Sequence, residues 1–181
     1  MSGTWLLLVG GLVLLLLVWA TWTMVRLSRL EARVARAWTS LDTQLQRRAG
    51  LAEELARDYP AAVGEGRADY LAAFAADARD PSDGDRELAE NLLGRELREL
   101  LTYLTDAPPA LRNDLEGTTV RVGLARRFYN DAVRDTAALR QRRLPRLLRL
   151  HASRPLPRYL DIDDRPGGVV AGTDGVGQRG R

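Results

Sequence analysis

The stretch WLLLVGGLVLLLLVWATWTMV occupies residues 5–25, and RLSRLEARVARAWTSL follows at 26–41. No charged side chain falls between Trp5 and Val25, and Leu6–Val18 is almost wholly Leu, Val and Gly. At ~1.5 Å of rise per residue, about twenty residues cross a hydrocarbon core ~30 Å thick, so the segment matches one helical span. Trp5 at one end and Trp19 and Trp22 near the other stand where indole rings favour the membrane interface. In the second part Leu27, Leu30, Val34, Ala37 and Leu41 recur at steps of three and four, the period of a helix burying one seam. The spacing predicts a transmembrane helix that continues without a break into an amphipathic one. A cleaved signal peptide is the competing reading; against it, the sequence shows no basic n-region, and Ala20-Thr21-Trp22 is a poor small-x-small cleavage site.

Orientation follows from charge. Arg26, Arg29, Arg33 and Arg36 come directly after the span, whereas only the terminal amine is positive before it, so the bulk of the chain is expected in the cytoplasm. Spaced by three and four, those arginines line one helical stripe that is expected to meet anionic headgroups of the inner leaflet.

Beyond Leu41 the seam meets Gln44 and Arg48, resumes at Leu51 and Leu55, and is closed by Asp58-Tyr59-Pro60. A connection around Gly64 and Gly66 precedes a helix with Tyr70, Leu71, Phe74 and Ala78 on one side. After the loop 80–85, a helix runs through Leu88, Leu92, Leu97, Leu100 and Leu101 to Leu104, and Ala107-Pro108-Pro109 stops it. From Leu111 to about Arg143 the positions Leu115, Thr118, Val122, Ala125, Tyr129, Ala132, Thr136 and Leu139 repeat at three and four, predicting a long last helix antiparallel to the first. The fold class read from this is all-α: one transmembrane helix continuing into an elongated antiparallel helical bundle. Its expected divisions are a short segment 1–4, an anchor 5–25, a helical domain 26–161 and a disordered tail 162–181 that is nearly without large side chains.

Composition narrows the chemistry. With no cysteine among 181 residues, disulfides, thiolate metal sites and a thiol nucleophile are excluded. A single histidine, His151, cannot build His clusters, and the absence of lysine removes Schiff-base catalysis and a Walker-type phosphate lysine. All 27 basic residues are arginines; a GC-rich genome is the plainest source of that bias, and a net charge of +3 marks no particular partner. No metal or cofactor is expected.

Two stretches carry a resemblance. Ala37-Trp38 is followed by Asp42-Thr43-Gln44-Leu45 and by Arg47-Arg48-Ala49-Gly50-Leu51; further on stands Ala125-Arg126-Arg127-Phe128-Tyr129-Asn130-Asp131-Ala132-Val133. In order and separation these resemble the signatures of the LemA family, Ala-Trp with Asp-x-Gln-Leu and Arg-Arg-x-x-Leu, then Ala-Arg-x-x-Tyr-Asn-x-x-Val. The resemblance runs from the anchor to about Asp161, with Thr119 where the family carries a glutamate and Thr136-Ala137 where it carries Tyr-Asn. It implies a single-pass anchor and an antiparallel helical cytoplasmic domain, and it implies no particular chemistry.

Asp42, Gln44, Arg47 and Arg48 lie on one turn and a half of the first helix, and Arg126, Tyr129 and Asn130 on one face of the last, so antiparallel neighbours would bring them together. One reading is a buried polar network that fixes helix register; the other is a pocket in which guanidinium forks hold a small anion. The dense basic run Arg140, Arg142, Arg143, Arg146, Arg149, Arg154 and Arg158 suits a solvated face or lipid contact, and without interleaved aromatics or a reading motif it does not point to nucleic acid. The function expected is a membrane-tethered scaffold or adaptor, with no catalytic residues, whose partners are membrane lipids, unidentified membrane or cytoplasmic proteins, and further copies of the chain. A sensor that binds an anionic small molecule or lipid headgroups through arginines is the alternative. An enzyme using Asp42 with Glu53 or Glu54 is the third reading, and no Glu-x-x-His pair or phosphate loop supports it.

Overall fold

The computed structural model of the chain describes residues 2–81, 85–141 and 158–163. They form five helices: α1 (Ser2–Asp58), α2 (Pro60–Val63), α3 (Glu65–Arg79), α4 (Arg86–Tyr103) and α5 (Pro109–Arg140). Among the described residues there is no strand. The expected all-α class is what the chain adopts, and the apolar segment and the amphipathic one after it belong to a single helix. The expected tail from Asp164 onward lies outside the described residues, while Ile162 and Asp163, placed in that tail by sequence, belong to the packed chain.

The described residues fall into two compact units, 2–44 with 124–141 and 158–161, and 45–81 and 85–123 with 162–163. In the first unit the N-terminal part of α1 is long and apolar enough to cross a membrane, and none of its most apolar stretch is buried within the chain. Leu6, Leu7 and Leu8 are each at least 70% exposed, so this is not the core helix of this chain. Past the apolar segment, α1 pairs with α5 through Glu31 and Arg140, Arg33 and Asp135, and Trp38 and Tyr129. As the number rises along one helix it falls along the other, which makes the pair antiparallel. The predicted seam of α5 is buried at Ala125, Tyr129, Ala132, Thr136 and Leu139 in this unit, and at Leu115, Thr118 and Val122 in the other.

The second unit packs the rest of α1, α2, α3, α4 and the start of α5 around one core. Ala49, Ala52 and Ala56 of α1 and Ala68, Ala75 and Ala78 of α3 are buried there, small side chains that suit close helix approach, while Leu55, Leu71, Leu93, Leu97, Leu100 and Leu115 fill the volume between. Two details depart from the sequence reading. Tyr70 is 67% exposed because α3 turns Ala68, Leu71, Ala75 and Ala78 inward, and α4 buries Ala89, Glu90, Leu93 and Leu97 while Leu88 faces out. In α3 small residues at i±3 and i±4 make up most of the seam, and in both helices a large side chain beside the seam misleads.

Local chemistry explains the breaks. Pro60 has no N–H to continue α1 and serves as the first residue of α2, where that donor is not needed. Gly64 follows with φ of 94°, the left-handed region where a side chain is strained, and its N–H donates to the Pro60 carbonyl at 2.8 Å. Asp85 caps α4, its Oδ1 accepting the Leu88 N–H at 3.0 Å. At the other end, Arg112 donates to the Leu104 and Leu101 carbonyls at 3.3 and 3.4 Å, satisfying acceptors that a helix C-terminus leaves without partners.

Candidate functional site

The seven residues singled out by sequence are divided between the two units. In the first, Arg126, Tyr129 and Asn130 project from α5 onto the segment 158–161. Asn130 acts as a surrogate peptide: its Nδ2 donates to the Leu160 carbonyl at 2.9 Å, and the Leu160 N–H donates to its Oδ1 at 3.0 Å. The Tyr129 hydroxyl donates to the Arg158 carbonyl at 2.8 Å, and Arg126 lies 3.6 Å from Asp161. Leu160 is buried as a result. Trp38 of α1 stacks obliquely on Tyr129, ring centroids 5.3 Å apart, and burial pushes the Tyr129 phenol above the usual tyrosine range. Asp42 and Gln44 are half-buried on α1 of the same unit, and both are engaged in polar interactions. The Ala-Arg-x-x-Tyr-Asn element is thus a clamp on returning chain.

In the second unit, Arg47 makes an exposed pair with Asp114 at 3.5 Å. Arg48 is almost wholly buried. Its Nη2 meets Oε2 of Glu90 at 2.6 Å and the Glu90 carbonyl at 3.1 Å, and Arg86 stands 3.8 Å from the other carboxylate oxygen. Glu90 was not singled out by sequence. Its signal was an acid between Ala89 and Leu93 on the α4 seam, where a charge persists only if it is paired. Gly94, one turn further on, is what admits the guanidinium: a Cβ there would lie 3.3 Å from Arg48 Nη1. Arg98 then holds Asp163, donating to its carbonyl at 2.8 Å and its carboxylate at 3.1 Å, while the Asp163 N–H donates to Asn91 at 2.8 Å.

Arg48, Gly94, Arg98 and Arg112 also line a cleft of about 410 Å³, flanked by Leu97, Leu101 and Val120 and bordered by Glu116, which pairs with Arg112 at 3.1 Å. All of its residues belong to the second unit.

The four arginines after the apolar segment are all exposed. Arg26 lies over the Trp22 ring at 5.5 Å, Arg33 is tied to Asp135 at 3.1 Å, and Arg29 and Arg36 are exposed. Of the dense basic run, Arg140 is buried against Glu31 at 2.6 Å and so does not form part of a solvated or lipid-facing surface. Arg142, Arg143, Arg146, Arg149 and Arg154, with His151, lie outside the described residues. Glu53, considered as an acid–base group, is paired with Arg79, and among the described residues no three His, Cys, Asp or Glu side chains gather in a metal-binding group. No family model matches the chain, and neither the curated proteins nor the solved structures contain a match to it.

Proposed function

We propose that the chain is a single-pass membrane-anchored helical scaffold, similar to LemA family proteins, which presents a cytoplasmic helical domain to protein partners or further copies of itself and carries out no catalysis. The observation that carries the reading is the state of α1. Its apolar stretch is bare, and the same helix continues past Val25 into residues such as Leu41 that are fully buried against the rest of the fold. An apolar helix of that length left uncovered is unstable in water and stable in lipid. The excess of arginine after the span supports a cytoplasmic domain. The polar residues of the motif stretches serve architecture: Asn130 and Tyr129 hold residues 158–160, and Arg48 holds α4.

Two measurements test it. The chain has no cysteine, so Asp69→Cys, at an exposed position on α3, provides a unique thiol. In cells, the protein is expected to stay with membranes through an alkaline carbonate wash, and the introduced thiol to react with an impermeant maleimide only after lysis. Release by carbonate would overturn the tether, and labelling of intact cells the orientation. Cross-linking of the full chain in its native membrane is expected to give a reproducible set of adducts, with other proteins or with itself; recovery of the uncross-linked monomer alone would overturn the scaffold reading.

A further inference from the structure

The cleft of the second unit combines features that a purely architectural network does not need. Arg48 is almost wholly buried, yet Glu90 takes only its Nη2, and among the described residues the buried Nε has no hydrogen-bond partner. A buried guanidinium N–H without an acceptor is costly, and the natural remedy is an anion or an ordered water in the adjoining space. Here that space exists. Arg48 lines the cleft beside Gly94, and the missing Cβ at Gly94 keeps the approach to Nη1 open.

We propose that this cleft binds a small carboxylate carrying an apolar body, its head on the Arg48 Nη1 side near Arg98 and its body along Leu97, Leu101 and Val120. The sequence suggested an anion pocket built from both motif stretches; the cleft uses only Arg48 of those residues and draws the rest of its lining from α4 and α5. A volume of about 410 Å³ lies in the range of small-molecule sites, and a mostly apolar wall with a few convergent polar groups is their usual lining. The charge suits a monoanion. Each lining arginine already has a carboxylate partner, Glu90 for Arg48, Asp163 for Arg98 and Glu116 for Arg112, so among the described residues the cleft has no cluster of unmatched cations for a dianion such as phosphate. The site does not depend on the membrane tether or on the scaffold reading.

The test uses the full chain in lipid nanodiscs, with empty nanodiscs as the reference for partitioning, and ligand-observed NMR with hexanoate, hexanamide and inorganic phosphate as probes. Hexanoate is expected to bind saturably and at least about tenfold more tightly than hexanamide or phosphate, since a charged hydrogen bond replaces a neutral one. Val120 is 66% exposed, so Val120→Glu leaves folding intact while placing a like charge at the cleft. It is expected to weaken hexanoate by about tenfold or more and to leave the melting temperature unchanged. Absence of saturable hexanoate binding, equal binding of hexanamide, preference for phosphate, or an unchanged affinity in the Val120→Glu protein would each overturn the assignment.

Discussion

The Arg48–Glu90 pair makes a quantitative demand on the second unit. The two side chains are 2% and 0% exposed and meet at 2.6 Å, so each charge has left water and relies on the other. Replacing Glu90 by Met strands the Arg48 cation next to Arg86, and breaking a buried pair in this way costs about 3–5 kcal/mol. For a chain of this size one kcal/mol moves the melting temperature by roughly 2–4 °C, so Glu90→Met is expected to lower it by roughly 6–20 °C. Arg48→Met should cost less, because Arg86 at 3.8 Å still partly offsets the Glu90 charge. Removing both charges leaves an apolar contact between α1 and α4 of similar volume, which is commonly neutral or better, so the double variant is expected within about 2 kcal/mol of the parent. The coupling between the two positions is then at least about 1 kcal/mol in magnitude. Thermal melts of the full chain in mild detergent, followed by far-UV circular dichroism, read all four proteins. Additive losses, or single variants that melt with the parent, would refute the claim that the pair acts as one buried unit.

Asn130→Leu removes both hydrogen bonds to Leu160 and is expected to loosen residues 158–161, at a cost of about 1–3 kcal/mol; hydrogen exchange at the Leu160 amide should accelerate, and unchanged protection would contradict the clamp. Burial raises the Tyr129 phenol in the folded chain, so its neutral form stabilises the fold below the unfolded tyrosine value, and that contribution is lost as pH rises through the ordinary range near about 10 towards the folded value. Spectrophotometric titration should show one tyrosine that ionises after the others and is missing in Tyr129→Phe. Asp85→Ala removes the acceptor for the Leu88 N–H and is expected to destabilise the second unit by about 1 kcal/mol, read as a lower denaturation midpoint with an unchanged slope.

Much of this architecture is legible from periodicity because helices report their buried face every three or four residues. The α5 seam from Leu115 to Leu139 could be read position by position, since apolar and small residues recur there between charged ones. The α3 and α4 seams could not be read as well. Leu71, Leu97 and Leu100 were read correctly, but beside them the buried positions are alanines, a glycine and a glutamate, whose burial depends on what packs opposite, and Tyr70 and Leu88 attract attention by size while standing in solvent. The site shows the same division. Gln44 and Arg48 were recognisable as polar intrusions on a seam, but the partner of Arg48 lies far along the chain, and no local rule assigns it to Glu90 rather than to a residue of α5. Residues 158–163 were invisible for a different reason: they form no regular element, and their place is set by side chains of Tyr129, Asn130, Asn91 and Arg98.

These placements also refine what the anchor asks of its arginines. Under the tether reading the span ends near Val25, and the polar headgroup layer extends roughly 5–8 Å beyond the hydrocarbon. At ~1.5 Å per residue Arg26 and Arg29 fall within that layer, whereas Arg33 and Arg36 stand roughly 12 and 16 Å beyond the span. Arg33 is bound to Asp135 and Glu31 to Arg140, so the turns of α1 just past the headgroups pair by charge with α5. Arg26, lying over Trp22 at the end of the apolar stretch, has the geometry of an interfacial anchor: an indole at the boundary with a cation above it. Under the tether reading Arg26 and Arg29 are therefore the two placed for the headgroups, while Arg33, in a half-exposed pair with Asp135, stands beyond them.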